Sequence, residues 1–341
     1  MLQNMEAFLY ESLEQNKVRC RLCHHRCVIK DNRRGICGVR ENKGGSLQTQ
    51  VFGKLIARNI DPIEKKPLYH FLPGTLSYSI ATVGCNFKCR FCQNADIAQM
   101  PADRRGMILG DPATPEEVVE AAQRSSCRSI SYTYTEPTVF FEFAYETAKR
   151  ASAAGIRNVF VTNGYMTPEA VEMIQPYLDA ANVDLKAFDE RYYKDLCGAK
   201  LEPVKNTLRL MRSLGIFLEV TTLLVPGLND SRQELEQLAE FLVNDLGPET
   251  PWHISRFHPT YRLTDRPPTP VDTLLTARQI GLKAGLRYVY TGNVPGQDSE
   301  NTFCYRCGKM LVERQGFQIR GYKIESGCCR YCHAPIDGVG L

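Results

Sequence analysis

Thr82-Val83-Gly84-Cys85-Asn86-Phe87-Lys88-Cys89-Arg90-Phe91-Cys92-Gln93-Asn94 is the stretch that decides the fold. It follows an apolar run, Tyr78 to Val83, that reads as a strand, and it sets three cysteines on one loop with three residues and then two between them. Three thiolates this close suit three irons of a 4Fe-4S cluster, and the missing fourth leaves one iron open to another ligand. The alternative is a zinc site, but structural zinc takes four closed ligands, and no fourth cysteine or histidine stands nearby on the loop. An open iron implies chemistry rather than electron storage.

Working outward, β-rich apolar runs alternate with helical patterns. After Tyr78 to Val83 come Ser129 to Tyr134, a run from Asn158, Ala181 to Ala187, Phe217 to Val225, Trp252 to Phe257 and Leu286 to Tyr290, seven strands in all. Helix starts stand between them: Thr114-Pro115-Glu116-Glu117 before Val118 to Arg124, Thr167-Pro168-Glu169 before Ala170 to Ile174, and Asp230-Ser231 before Gln233 to Val243. This alternation predicts an α/β fold with a parallel sheet, doubly wound or barrel-like. In either case the ligand site lies at the C-terminal edge of the strands.

The groups at those strand ends are chemically suggestive. Glu136 could pair with an ammonium group, or it is a surface-loop glutamate. Thr162 and Asn163 suit hydrogen bonds to a ribose or carboxylate. Asp184 and Lys186 alternate onto one face, where they need each other or a ligand, because an unpaired buried charge costs several kcal/mol. A simple buried ion pair is the plainer alternative.

With 341 residues and 43% hydrophobic content, the chain suits one barrel-sized domain with appendages, or two ordinary domains. We expect a Cys-rich N-terminal module over 1–76, a barrel over 77–295 and a zinc-ribbon-like module over 296–341. Pro73-Gly74 and Pro295-Gly296 mark the joins. No apolar run reaches the roughly 18 residues of a membrane span. The start, MLQNMEAFLYESLEQ, carries acidic residues and no small-residue cleavage site, so a cytoplasmic protein is expected. The net charge of +4 falls short of a nucleic-acid footprint, and neither nucleic acid nor membrane is an expected partner. Residues 1–76 hold 13 Lys and Arg against 7 Asp and Glu, which suits an acidic partner, an anionic substrate or simply a solvated surface.

Fourteen cysteines fall into three clusters plus Cys127 and Cys197, a pattern of metal binding rather than a disulfide framework. Cys127 and Cys197 read as small buried apolar residues. Cys304-x2-Cys307 and Cys329-x2-Cys332, 21 residues apart, read as a zinc ribbon that staples a tail too short for its own core. A single rubredoxin-like iron is the alternative, and Cys328 could replace Cys329. Cys20, Cys23, Cys27 and Cys37, with His24 and His25 beside them, suit either a structural zinc or a second iron-sulfur cluster for electron delivery. Their spacing leaves both open, and zinc or a purely structural role is the first expectation.

The cysteine loop, with an aromatic residue before its last cysteine, resembles that of the radical S-adenosylmethionine superfamily. Ile60–Gly74, Ser131–Thr138, Val161–Tyr165, Val183–Glu190, Val225–Asp230 and Tyr290–Gly296 extend the resemblance over almost the whole chain. They are similar to the radical enzyme family of the AmmeMemoRadiSam system, related to pyruvate formate-lyase activating enzyme. The resemblance implies a partial (β/α)6-type TIM barrel. It implies reductive cleavage of S-adenosylmethionine at a 4Fe-4S cluster to methionine and a 5′-deoxyadenosyl radical that takes hydrogen from a substrate. Cys85, Cys89 and Cys92 would ligate the cluster. Glu136, after Tyr134-Thr135 where relatives carry two glycines, would hold the methionyl amine. Phe91, Asn94, Thr135, Thr162, Asn163, Asp184 and His258 would line the cofactor site, and Lys186 would sit near carboxylate or substrate. Val161 stands where activating enzymes carry an aspartate. The implied partners are a reductant such as ferredoxin or flavodoxin, Memo-type and AMMECR-type proteins and a protein substrate. A small-molecule substrate and a non-catalytic metal scaffold or electron carrier are the alternatives, and Glu136 and the Asp184/Lys186 pair would have no task in the last.

Overall fold

The computed structural model describes residues 5–292, 294 and 298–341. Its main sheet is built from β1 (Ala57–Pro62), β2 (Leu76–Ala81), β3 (Ser129–Tyr132), β4 (Arg157–Thr162), β5 (Ala180–Asp184), β6 (Phe217–Leu224), β7 (Trp252–Arg256) and β8 (Val289–Gly292). Strands β2 to β8 run parallel, each beside the strand before it, and β1 pairs antiparallel with β2 at the edge. A doubly wound sheet would reverse its order at a switch point, whereas an order without reversal is that of a barrel. Here β1 and β8 are the unjoined ends of the sheet, so the barrel is open.

Six helices make the crossovers: α1 (Pro115–Arg124), α2 (Phe141–Ala153), α3 (Pro168–Ile174), α4 (Leu201–Ser213), α5 (Arg232–Phe241) and α6 (Val271–Ala284). Six strand-helix units and a closing strand therefore match the expected (β/α)6 plan. The three helix starts read from sequence are capped as expected. Thr114 accepts from the Glu117 N–H and Glu117 reaches back to the Thr114 N–H, while Thr167 and Ser231 cap α3 and α5. Among the described residues no helix is long and apolar enough to cross a membrane.

Alternation divides the sheet into two unlike faces. The outer face carries Tyr132, Phe160, Val183, Val220 and Ile254 into the apolar core beneath the helices. Gly281 on α6 passes so close to Trp252 that an added Cβ would lie 2.9 Å from the indole, so the helix can pack this tightly only on glycine. The inner face mixes apolar residues at its lower end, Val159 and Ala180, with buried polar ones. Ser77 bonds Ser131 at 2.6 Å, Thr221 donates to Asn182 at 2.9 Å, and Glu219 meets His253 at 2.6 Å.

Residues 69–71 and the C-terminal segment close the lower end of the barrel. Glu219 accepts from the His70 N–H at 2.7 Å, and the His70 ring bridges the Asp337 carbonyl and the Tyr290 hydroxyl at 2.6 Å each. Arg314 stacks 4.2 Å from the Tyr69 ring centre and donates to the Tyr69 carbonyl. Tyr69, Tyr288 and Tyr290 share a small core with Cys304, Leu311, Val312, Ile324 and Cys329. The N-terminal segment differs: two three-stranded sheets carry Val18 and Leu47, and the turns beside them Leu22 and Val39, directly into the main core with Phe87, Phe91 and Phe140.

Two differences from the sequence reading have physical causes. The run Ser129–Tyr134 stops at Tyr132 because Tyr134 adopts φ 63°, a left-handed turn that a strand cannot continue through. Strand β1 was not expected, because Ala-Arg-Asn-Ile-Asp-Pro is a polar edge sequence with three exposed residues in the middle. The motif Tyr290–Gly296 includes Asn293, Pro295 and Gly296, so its end and the expected join at Pro295-Gly296 lie outside the described residues.

Candidate active site

The loop after β2 is held from three sides. Gly84, at φ 102°, lets Val39 of the N-terminal segment approach to 2.6 Å of where a Cβ would stand. The Lys88 and Arg90 N–H groups donate to the carbonyls of Cys197 and Leu196, and the Gln99 side chain donates to the Phe87 carbonyl. Residues 261–262 clamp the loop from the β7 side: the Arg262 N–H donates to Arg90, while Arg262 and Tyr261 both reach Asp103. The loop is therefore rigid before any ligand binds.

Cys85, Cys89 and Cys92 stand on this loop with Cys89 buried and the others half-buried. The Phe87 N–H donates to the Cys85 sulfur at 3.3 Å. Burial raises the Cys92 thiol to about 11, so these thiols become thiolates only when a metal replaces the proton. Three soft donors on a dry, braced loop fit an iron-sulfur cluster that keeps one iron free. Cys197 is buried as expected but packs against Cys89, whose thiol pKa is raised by that contact first and by burial next.

Glu136 is buried and is not the surface-loop glutamate that the sequence also allowed. Its carboxylate is only 1% exposed, and its oxygens accept from the Thr138 N–H and hydroxyl, the Thr162 hydroxyl and the Asn163 N–H at 2.6 to 3.0 Å. Burial nonetheless lifts its pKa above the ordinary carboxylate value. Glu136 thus ties the end of β3 to the end of β4, close enough to Cys85 for its charge to help raise that thiol. Asn163, fixed by this strap, donates to Asn86 at 2.8 Å and approaches the Cys85 sulfur at 3.9 Å. Asn94 donates to the Tyr134 carbonyl at 2.7 Å, and Thr135 to the Thr82 carbonyl at 2.9 Å.

Asp184 and Lys186 do meet, at 2.9 Å, with Asp184 more than one-third exposed and Lys186 largely buried. Burial works against the lysine charge, but Asp184 and the thiols of Cys89 and Cys197 more than offset it and hold the pKa well above the usual value. The Lys186 ammonium lies 6.0 Å from the Phe91 ring centre. Asn229 holds the segment by donating to the Lys186 carbonyl, and the Tyr193 hydroxyl accepts from the Lys186 N–H. His258 does not join this group: Phe257 is buried with its N–H on Thr269, and the next side chain is turned out into solvent.

Sequence reasoning missed Asp61, Lys66 and the Tyr134 hydroxyl, a triad across β1, its following turn and the β3 turn in which Asp61 and Lys66 are buried and Tyr134 half-buried. Burial lowers Lys66 to about 8, against the pull of Asp61. The only signal was the charge cluster within Ile60–Gly74.

In the C-terminal segment, Cys304 and Cys332 stand 3.6 Å apart and Cys307 and Cys329 3.7 Å apart. All four sulfurs lie within 4.8 Å of one another, so this quartet could hold a metal ion, with Cys329 rather than Cys328 as the fourth member.

Residues 79–242 match the Radical SAM superfamily. An uncharacterised protein of Methanocaldococcus jannaschii is 48% identical over 97% of this chain and 98% of its own length. Pyruvate formate-lyase 2-activating enzyme of Escherichia coli is 25% identical over 64% of this chain and 81% of its own. Among solved structures, a radical SAM methyltransferase of Sphaerobacter thermophilus overlays 70% of this chain and 71% of its own, at 17% identity and a TM-score of 0.50. Streptococcus suis SuiB bound to S-adenosylmethionine overlays 68% of this chain and 53% of its own, at 13% identity and a TM-score of 0.51. The cysteine loop at the strand ends, the six strand-helix units and these matches lead to one conclusion: the chain belongs to the radical SAM superfamily and is a radical SAM enzyme.

Proposed function

We propose that this enzyme abstracts hydrogen from a partner protein, in the manner of an activating enzyme for a glycyl radical protein. When bound at Cys85, Cys89 and Cys92, the reduced 4Fe-4S cluster supplies the electron that splits S-adenosylmethionine into methionine and a 5′-deoxyadenosyl radical. The chain's own residues bind, orient and shield. Phe91, Asn94, Thr135, Thr162 and Asn163 shape the pocket wall, and Glu136 acts through Thr162 and Asn163 as a positioning residue. Asp184 and Lys186 offer an exposed carboxylate and an ammonium to the cofactor's polar end or the substrate. The carrying observation is that the rigid three-thiol loop and this charge pair share one strand edge, in a chain related to named activating enzymes.

The same reading assigns zinc to Cys304, Cys307, Cys329 and Cys332, a modular division at 1–76, 77–295 and 296–341, and a reductant such as ferredoxin or flavodoxin. It also places the chain in the AmmeMemoRadiSam system with Memo-type and AMMECR-type partners, in the cytoplasm. A small-molecule substrate is the second reading, favoured by the Tyr261-Arg262 clamp that braces the loop from the β7 side.

The test is anaerobic reconstitution with S-adenosylmethionine and reductant. 5′-Deoxyadenosine should form, and a protein-based radical signal should appear with the right partner. Turnover stimulated by low-molecular-weight extract but by no partner protein would favour the second reading. No 5′-deoxyadenosine under any condition would overturn both.

A further inference from the structure

We propose that Cys20, Cys23, Cys27 and Cys37 hold a second, coordinatively complete 4Fe-4S cluster that passes electrons to the catalytic loop. The four cysteines line one partly open cavity together with Arg40, Asn86 and Val139. Two buried side chains in the wall lack the partners they need. Arg40 is 1% exposed; one terminal nitrogen serves the Phe8 carbonyl and Glu142, while Nε and Nη1 have none. Asn86 is equally buried, and its Nδ2 has no partner either. Buried N–H donors left unmade are costly, and these line the wall of the cavity that four thiols share. A thiolate-bound anionic centre supplies acceptors for them and a counter-charge for the guanidinium.

Sulfur spacing separates a single ion from a cluster. Tetrahedral zinc with Zn–S near 2.3 Å puts its sulfurs about 3.8 Å apart. The C-terminal quartet meets that condition, with all sulfurs within 4.8 Å. Among the described residues no other group of three or more such ligand atoms does so, and the N-terminal quartet is therefore wider. The catalytic triplet, whose chemistry requires a polynuclear cluster, is wider in the same sense. Cluster thiolates each bind a different iron and stand roughly 6 Å apart. The N-terminal quartet groups with the triplet and not with the ribbon.

Four ligands leave no iron open, so this centre has no place for S-adenosylmethionine. Its task follows from position. Asn86 lines its cavity and is covalently next to Cys85, and the His25 ring bonds the Asn86 backbone carbonyl at 2.8 Å. An external low-potential one-electron donor reduces the second cluster by one electron. The second cluster is reoxidised as it reduces the catalytic one, and no proton or atom is transferred.

The decisive experiment uses the full chain with Cys85→Ala, Cys89→Ala and Cys92→Ala together, reconstituted anaerobically. About four irons and about four sulfides per chain should remain, with a reduced-state EPR signal that ignores added S-adenosylmethionine. No residual iron, or zinc in its place, would overturn the proposal. If the triple variant fails to fold, iron counting on the wild type decides: about eight irons per chain support a second cluster and about four refute it. In Cys23→Ser/Cys37→Ser the count should fall to about four, all responsive to S-adenosylmethionine. Residual iron in the triple variant is read independently of turnover, so a failure of the proposed radical chemistry leaves this result interpretable.

Discussion

The two cysteine quartets, one near each end of the described chain, have the same donors and opposite settings. The C-terminal four are close together, with Cys307 exposed, on a segment whose core is a handful of residues leaning on Tyr69, Tyr288 and Tyr290. The N-terminal four are spread around a cavity inside the main core, beside the catalytic loop. In the first, four thiols placed to hold a metal ion stand beside a core of only a few residues. In the second the core exists already, and the thiols are free for a different task.

The largest expected effect breaks the C-terminal half of this comparison. Cys307→Ala/Cys329→Ala removes a centre worth on the order of 10 kcal/mol of local folding. Residues 304–332 should lose hydrogen-exchange protection and become sensitive to protease, while the S-adenosylmethionine-responsive EPR signal survives. Retained protection would mean that the quartet is idle.

Next in size is the buried Arg40–Glu142 pair, 2.8 Å apart, which joins the N-terminal segment to α2. Glu142→Ala strands the guanidinium and should cost about 3–5 kcal/mol in urea unfolding, whereas Arg40→Met/Glu142→Leu should recover most of it. If Arg40 also serves the second cluster, the double variant regains stability but not its full iron content.

The third prediction concerns pH at the barrel floor. Burial, aided by Arg314 and His253, lowers His70 to about 4. The folded state then binds fewer protons than the unfolded chain, so stability is complete above about pH 6.5 and falls as pH drops toward 4, by up to about 3 kcal/mol. His70→Asn should flatten that acid slope in denaturant titrations, and an unchanged slope would remove His70 as its source. Unfolding near pH 5 should loosen the C-terminal segment before the N-terminal one.

The smallest effect tests the ion pair at the site. Lys186→Met should slow 5′-deoxyadenosine formation roughly thirtyfold, about 2 kcal/mol, with little change in thermal stability. An equal loss in stability would make the pair merely structural.

How much of this was legible in the sequence differs by element. The parallel strands β2 to β8 were readable because both of their faces are buried, which leaves near-continuous apolar or β-branched runs such as Asn158–Thr162. The caps at Thr114, Thr167 and Ser231 are local chemistry and were readable for that reason. What escaped was non-local. The polar edge strand β1 is held by Asp61 with Lys66 and Tyr134, partners that no periodicity reveals. Glu136 read as either a ligand group or a surface glutamate, and its burial was hidden because two of its donors, Thr162 and Asn163, stand 26 and 27 residues further on at the end of β4. Cys197 looked like core filler because its neighbour Cys89 lies on another loop.

One feature of the floor bears on how the molecule is made. Phe71 bridges to Val339, and the His70 ring reaches the Asp337 carbonyl 267 residues away. A chain growing from its N-terminus, at roughly 5–20 residues per second, therefore completes the contacts of residues 69–71 only with its last residues. The catalytic loop and every helix are complete before the residues that stopper the barrel leave the ribosome. The floor is thus the last part of the barrel to close, at the end opposite the catalytic loop.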